Sequence, residues 1–376
     1  GSVDVTVAVA RDYVAPRNDT ERRLVAIWAE VLNRSPETIG VNDNFFELGG
    51  HSLSAVRLTA KINMGFGRLL PLAVMFTAPN IAALATLIAS EEAEPFKILV
   101  PIQTNGTVRP VFGVPGAGGN VVSLQPLSRA LGRRQPFYGL QAVGLDGQTR
   151  PLDSVEQTAR ANIAALKAVQ PLGPYSLIGH SYGGVVAYEM ARVLLEQGDD
   201  IASLTLLDTR APSVMQGQLA RDEADELVEA CTVAAGLNGI VLDLEADQLR
   251  QLPDDAKIQY IGGLLHARGI EGAGEQFAAF YKVYRANLLC YRDYVPRPLS
   301  RAIDVSLYRA TQTRDGATPR DYGWSQLLRD QLRIHDVEAN HHSILEKADL
   351  LEMAGASFAP PELDDAAHEF VSPLEP

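Results

Sequence analysis

The chain has 376 residues, a length that suits a small domain followed by a medium-sized one better than a single core. Its net charge of -13 argues against a nucleic-acid-binding protein, and no run of about 18 apolar residues predicts a membrane span. The 2 cysteines, Cys231 and Cys290, favour a reducing, cytoplasmic location, and neither they nor the 7 histidines show metal-ligand spacing, so no metal site is predicted.

The first 90 residues predict a small helical bundle. Residues 1–15 have no helical period and are interpreted as a linker from an upstream domain, so the bundle spans 16–90. Its first helix has apolar residues at i, i+3, i+4 and i+7 that are predicted to face the core: Leu24, Ile27, Trp28 and Val31. A second helix begins near Ser52, and its predicted inward residues are Leu53, Val56, Ala60 and Met64. Asn80 is predicted to cap a last helix.

The rest of the chain predicts an α/β domain. Residues 91–96 form a short acidic linker, and from 97 to 358 predicted strands alternate with helices. The predicted strands are 111–114, 175–179, 203–207, 303–308 and 332–337. This alternation indicates a mostly parallel sheet covered on both faces. The stretch 212–294 breaks the alternation and is interpreted as a helical lid inserted above the sheet, and residues 359–376 are expected to be a poorly ordered tail.

A first chemical site is predicted at Ser52, which follows Leu48-Gly49-Gly50-His51 at the start of a helix. A helix start offers unpaired N–H groups and the positive end of the helix dipole, and both suit a phosphate attached to the serine. Taken alone, the pattern favours a serine that only caps the helix. Ser54 is a weaker candidate because it lies inside the helix.

The segment around Ser52 resembles the core motif of peptidyl carrier domains, and the likeness extends from Tyr13 to about Ser90. The resemblance implies an all-α carrier bundle in which Ser52 bears covalently attached 4'-phosphopantetheine. It also implies a phosphopantetheinyl transferase as the partner that attaches this arm.

A second chemical site is predicted at Ser181, the centre of the G-x-S-x-G pattern in 179–183. This pattern requires a strand before it and a helix after it, and the sequence predicts both. A serine hydroxyl is a weak nucleophile that needs an imidazole oriented by a carboxylate. Asp208 follows the next predicted strand, so we expect it at the same sheet edge as Ser181. Asp315, after a later strand, is the alternative acid.

Two adjacent histidines compete for the role of the base. The segment from Asn340 resembles the thioesterase pattern of His, any residue, Ser or Thr, and two apolar residues, and this register selects His341 over His342. His335 lies in the last predicted strand and is interpreted as structural. The backbone N–H groups of Tyr182 and Ala117 are the predicted oxyanion donors.

Residues 97–358 as a whole resemble the α/β-hydrolase thioesterase domain that ends many nonribosomal peptide synthetases. The resemblance implies that a peptidyl thioester on the Ser52 arm is transferred to Ser181 and leaves by hydrolysis or macrocyclisation. It implies upstream adenylation and condensation domains as partners, whereas the net charge and the lack of a long apolar run predict no nucleic-acid or membrane partner. An editing thioesterase that clears stalled acyl groups and a non-catalytic docking pair remain as alternatives.

Overall fold

The computed structural model describes residues 13–68, 70–90, 96–215, 222–237, 240–270, 273–312 and 318–347. The α-helices in these residues are α1 Asp19–Leu32, α2 Ser52–Phe66, α3 Val74–Thr77, α4 Ile81–Ala89, α5 Gln125–Ala130, α6 Val155–Lys167, α7 Tyr182–Glu196, α8 Pro212–Met215, α9 Glu223–Leu237, α10 Ala246–Arg250, α11 Asp254–Ala267, α12 Ala273–Asp293 and α13 Ser325–Leu328. The strands are β1 Leu99–Gln103, β2 Val111–Val114, β3 Phe137–Leu140, β4 Tyr175–His180, β5 Ile201–Leu207, β6 Val305–Ala310 and β7 Leu332–Val337.

Helices α1 to α4 form a bundle around one apolar core. The ring of Trp28 in α1 is fully buried and contacts the edge of Phe45, with ring centroids 5.2 Å apart. Asn80 caps α4 as predicted, because its side chain accepts a hydrogen bond from the Ala83 N–H at 2.9 Å. The short helix α3 has no sequence signal of its own. These helices confirm the predicted all-α fold of the first domain.

The buried face of α2 differs from the predicted one. Met64 is 59% exposed, whereas Ala55, Leu58 and Ile62 are fully buried. Apolar residues follow two rows along α2, and the row that contains Leu58 is the one that packs in the same core as Trp28. Spacing alone cannot choose between two such rows, so the prediction for Met64 is wrong.

The second domain contains one sheet of 7 strands within the described residues, in the order β1-β3-β2-β4-β5-β6-β7. β1 is antiparallel to β3, and the other neighbouring strands are parallel, which confirms the predicted α/β-hydrolase fold. The sequence does not predict β1 or β3. β1 contains Pro101, which a strand tolerates at the sheet edge.

Helix α7 lies at the centre of this domain. All 6 residues of β4 before it are buried, as expected for a strand covered on both faces. Glu189 and Arg192 of α7 are buried as an ion pair at 2.6 Å, and the Tyr294 hydroxyl donates to Glu189 at 2.6 Å. Buried charges require such partners, so this network fixes the chain directly after α12 to the core of the domain.

Helices α8 to α12 lie between β5 and β6, where the sequence predicts the lid. Part of the lid has its own apolar core, which includes Leu227, Ile261 and Phe277. The ring of Phe277 stacks on that of Tyr281, with centroids 6.1 Å apart. In the described part of the chain, none of the helices is sufficiently long and apolar to span a bilayer.

Candidate active site

Ser181 lies in the sharp turn between β4 and α7. Its φ of 54° and ψ of -125° are unusual for a residue with a side chain. Glycines on both sides permit the turn: a Cβ on Gly179 would lie 2.2 Å from the Gly183 carbonyl oxygen, and one on Gly183 would lie 2.3 Å from the Val114 carbonyl oxygen. The turn therefore brings Ser181 to the carboxyl edge of the sheet.

Asp208 directly follows β5 at the same edge and is 6% exposed. One carboxylate oxygen, Oδ2, lies 2.6 Å from Nδ1 of His341, and Oδ1 accepts from the Ala310 N–H at 2.8 Å and the Tyr322 hydroxyl at 2.9 Å. Burial opposes ionisation most strongly, but these three donors outweigh it and hold the pKa of Asp208 below its ordinary value. An ionised carboxylate only accepts hydrogen bonds, so Nδ1 of His341 carries the proton.

The alternative residues have other surroundings. His342 contacts the ring of His341 edge-on, with centroids 5.4 Å apart, and burial together with the charge of His341 lowers its pKa. His335 stacks on Tyr308, with centroids 4.6 Å apart, which fits its interpretation as structural. Asp315, the alternative acid, lies outside the described residues.

The glycine-rich loop after β2 passes beside Ser181. A Cβ on Gly116 would lie 3.5 Å from the Ser181 Cβ. The Gly119 N–H donates to the Gly116 carbonyl at 2.8 Å and closes the loop as a tight turn around Ala117. Tyr182 is the first residue of α7, so its N–H belongs to the unpaired group at a helix start. The two predicted oxyanion donors thus lie on segments that flank Ser181.

His180 contributes a contact that the sequence does not predict. Its side chain is 5% exposed, and its Nε2 lies 2.8 Å from the carbonyl oxygen of His341. Burial, and next the charge of His341, lowers the pKa of His180 to about 3, so its imidazole is neutral at pH 7. A neutral imidazole can donate from Nε2 and hold the His341 backbone in place. The sequence places His180 directly before Ser181, but it contains no pattern from which a contact with the His341 backbone could be predicted.

A cavity of about 1210 Å³ joins these residues. Ser181, Asp208 and His341 line it, and its walls include the lid residues Val233 and Leu288. Pockets for small molecules typically measure about 300–1,000 Å³, so this one accommodates a larger ligand.

The helical bundle packs against the second domain beside the cavity. The apolar residues of this contact come from α3 and the residue before it, from β1 and from the 3₁₀ turn Val121–Leu124: Ala73, Phe76, Val100, Val121 and Val122. The Arg129 guanidinium donates through Nη2 to the Gly50 carbonyl at 2.7 Å. His51 lines the cavity itself, so the first residue of α2, Ser52, follows directly after a residue of the cavity wall.

The start of α2 fits a phosphate-bearing arm at Ser52 better than at Ser54. α2 has 15 residues, long enough for its first N–H groups and dipole to favour an anion. The Ser54 hydroxyl is instead occupied: it accepts from the His51 N–H at 2.8 Å, donates to the His51 carbonyl at 2.9 Å, and its residue is 6% exposed. The residues present therefore suit attachment at Ser52.

Comparisons with known proteins agree with this two-domain structure. The chondramide synthase of Chondromyces crocatus is 30% identical over 371 residues, which are 94% of this chain and 9% of that protein. The indigoidine synthase of Dickeya dadantii is 39% identical over 210 residues, which are 56% of this chain and 14% of that protein. The chain therefore spans a small part of the length of these relatives.

Solved structures give the same picture. A holo four-domain nonribosomal peptide synthetase bound to AMP and glycine matches with a TM-score of 0.68 and 28% identity, over 94% of this chain and 27% of that one. The Vlm2 thioesterase domain bound with a dodecadepsipeptide shares the fold, with a TM-score of 0.52 and 20% identity over 70% of this chain and 99% of that one.

Two family models match the chain. The phosphopantetheine attachment site model matches residues 22–88, and the thioesterase domain model matches residues 109–358. The chain therefore belongs to the thioesterase domain family, and it joins that domain to a phosphopantetheine-binding carrier domain, in the carrier–thioesterase architecture of nonribosomal peptide synthetases.

Proposed function

We propose that the chain accepts an acyl or peptidyl group from the carrier onto Ser181 and releases it to water or to an internal amine or hydroxyl. The observation that supports this most directly is the 2.6 Å contact between Asp208 and Nδ1 of His341 in the cavity that Ser181 and His51 also line. In this proposal Ser181 is the nucleophile, His341 the general base and Asp208 the carboxylate that orients the imidazole. Phosphopantetheine attached to Ser52 supplies the thiol that carries the acyl group as a thioester.

The order of events follows from the tautomer of His341. Because Asp208 holds the proton on Nδ1, Nε2 is available to take the proton of the Ser181 hydroxyl as its oxygen attacks the acyl carbon. The carbonyl electron pair moves onto its oxygen, which accepts hydrogen bonds from the N–H groups of Tyr182 and Ala117. The carbon–sulfur bond then breaks, and His341 gives the proton to the leaving sulfur. In the second half, His341 takes a proton from water or from an internal amine or hydroxyl as it attacks the Ser181 ester. His341 then gives that proton to the Ser181 oxygen as the carbon–oxygen bond breaks.

The size and lining of the cavity support a peptidyl rather than a short acyl substrate. Its volume of about 1210 Å³ exceeds that of typical small-molecule pockets, and its exposed lining is mainly apolar. Lid side chains such as Val233 and Leu288 form part of that lining. An apolar wall excludes water from parts of the acyl chain. Whether the product is an acid or a ring then depends on which nucleophile, water or an internal amine or hydroxyl, reaches the ester. The product mass separates the two outcomes, because a ring lacks one water relative to the acid.

The first experiment tests the carrier serine by intact-protein mass after incubation with coenzyme A and a phosphopantetheinyl transferase. We expect Ser52→Ala to abolish the mass increase and to leave hydrolysis of small N-acetylcysteamine thioesters unchanged. Ser54→Ala is the matched control and should still be loaded. Loss of both activities in Ser52→Ala would contradict the proposed division of labour.

The second experiment tests the nucleophile on carrier loaded with an acyl group. We expect Ser181→Ala to retain the acyl group on the carrier, whereas Ser123→Ala, which alters another serine of the cavity wall, should release it. Release from Ser181→Ala at the wild-type rate would exclude Ser181 as the acceptor. Failure of a fluorophosphonate to label the wild-type chain would favour the non-catalytic docking pair instead.

A further inference from the structure

One face of the lid helix α12 packs on the glycine-rich loop. A Cβ on Gly118 would lie 2.8 Å from the ring of Phe280, and one on Gly119 would lie 3.1 Å from a methyl group of Val283. One turn further along, the Asn287 amide donates through Nδ2 to the Ala117 carbonyl at 2.8 Å. Residues 280, 283 and 287 are three and four positions apart, so they share one side of the helix. The lid is therefore in direct contact with the loop of the proposed oxyanion donor.

Asn287 makes the polar contact in this interface. It is 5% exposed, and a buried amide is costly unless it is hydrogen-bonded. Glycine occupies three of the four positions in 116–119, so the loop backbone has unusual freedom to move. Within the loop, the Gly119 N–H fixes the Gly116 carbonyl at 2.8 Å, and Asn287 fixes the next carbonyl, that of Ala117, from outside. The position of residue 117 thus depends on a side chain of the lid.

The same helix also reaches the other side of the site. Tyr291, one turn after Asn287, donates its hydroxyl to the Arg210 carbonyl, two residues after Asp208. Its ring lies against that of Tyr182, with centroids 5.9 Å apart. α12 therefore contacts the segments of both proposed oxyanion donors and the segment that follows the proposed acid.

We infer that Asn287 is a positioning residue that couples the lid to the glycine-rich loop 116–119. The Ala117 N–H then points toward the reacting carbonyl only while α12 lies on this loop. This inference rests on the proposed function, because it assigns Asn287 an effect through Ala117. Asn287 itself does not contact the acyl group in this account. When the lid moves to admit substrate, the hydrogen bond from Asn287 to the Ala117 carbonyl would break, and it would form again when the lid closes.

The test uses the whole chain and a small N-acetylcysteamine thioester, which needs no carrier. Asn287→Asp keeps the shape of the side chain but replaces the donor with an oxygen that faces the Ala117 carbonyl. Since loss of one oxyanion donor costs about 10²–10³ in kcat, we expect its displacement to lower kcat about 10- to 100-fold with KM changed less than about 2-fold. Asn287→Gln retains an amide and should recover part of the loss.

Phe277→Leu is the matched control, because it weakens the core of the lid on the same helix without altering the hydrogen bond to Ala117. If Asn287→Asp and Phe277→Leu lower kcat equally, or if Asn287→Asp raises KM and leaves kcat unchanged, the inference is overturned. Amide hydrogen exchange of residues 116–120 gives a readout besides activity. Exchange should be faster in Asn287→Asp than in Phe277→Leu, and equal rates would also overturn the inference.

Ser181→Ala, measured in parallel, separates this inference from the proposed function. If Ser181→Ala hydrolyses the thioester at the wild-type rate, the proposed function fails and the inference fails with it. If Ser181→Ala is inactive and Asn287→Asp behaves like Phe277→Leu, only the role of Asn287 fails. An inactive Ser181→Ala together with a kcat loss confined to Asn287→Asp supports both.

Discussion

The Tyr322 hydroxyl donates to the buried carboxylate of Asp208 at 2.9 Å, and its removal tests the electrostatics of the site. Tyr322→Phe deletes this donor and keeps the ring, which lies under the Arg309 guanidinium at 4.9 Å from the ring centroid. The Ala310 N–H remains on the same carboxylate oxygen at 2.8 Å. The substitution therefore removes one of three donors to Asp208 and little else.

The expected magnitude follows from hydrogen bonds to charged groups, which contribute about 1.5–3 kcal/mol. Loss of this donor should therefore raise the pKa of Asp208 in the variant. The folded state of the wild type holds this pKa below its ordinary value of 3.8, so the stabilisation exists above that value and is lost as pH falls. Tyr322→Phe should therefore lower the free energy of unfolding by about 2 kcal/mol at pH 7.

Urea denaturation at pH 7 and at pH 3.5 provides the assay. The difference between the wild type and Tyr322→Phe should shrink as the pH falls from 7 to 3.5, because protonation removes the charge that the Tyr322 hydroxyl stabilises. Tyr188→Phe is the control, because the Tyr188 hydroxyl donates to the neutral carbonyl of Arg297 at 2.8 Å, away from Asp208. Its loss should be about 1 kcal/mol and should change less with pH. Equal losses and equal pH dependence in the two variants would refute the claim that Tyr322 stabilises an ionised Asp208.

Three further predictions concern other parts of the structure. Gly183→Ala should abolish folding or thioester hydrolysis, because its Cβ would lie 2.3 Å from two backbone carbonyl oxygens, whereas Gly263→Ala, with open space around it, should leave activity unchanged in the same assay. Phe76→Ala should slow release from loaded carrier and leave hydrolysis of small thioesters unchanged, since Phe76 belongs to the contact between the domains; equal rates in both assays would contradict this. The wild type should lose about 2 kcal/mol of unfolding free energy between pH 7.5 and pH 5, because His180 stays neutral in the folded state, with a pKa of about 3, and binds a proton near pH 6.5 in the unfolded state. His180→Gln should remove this part of the pH dependence, and identical pH dependence of the two chains in urea denaturation would count against it.

The sequence predicts best those parts of the site where a short motif is required by the local geometry of the backbone. A Cβ on Gly179 would overlap the Gly183 carbonyl within the motif itself, so this glycine indicates the turn without knowledge of the rest of the fold. Asp208 follows from the rule that parallel strands place their carboxyl ends at one edge. The choice of His341 over His342 needs the family resemblance, because spacing alone does not distinguish two neighbours.

Other contacts have no local pattern from which they could be predicted. Tyr322 reaches Asp208 across 114 residues, and His180 reaches the His341 backbone across 161 residues. Each is an ordinary residue for its segment, and only the packed fold brings the partners together. The sequence does not predict the strand β1 for a different reason. Pro101 argues against a strand, and the proline is tolerated only because β1 lies at the edge of the sheet.

The contact between the two domains is also not predicted by a local pattern, and it lies close to the proposed oxyanion donor. Phe76 is 9% exposed and Val122 is fully buried, so in the sequence both resemble core residues of their own domains. An apolar pattern indicates that a side chain is buried but not which domain covers it. Val122 lies in the 3₁₀ turn that begins two residues after Gly119, the last glycine of the loop that contains the proposed oxyanion donor Ala117. The carrier therefore packs on a segment continuous with that loop, and α12 packs on the loop itself. We expect carrier docking and lid position to act on the same few residues, so that changes on either side alter the geometry at Ala117.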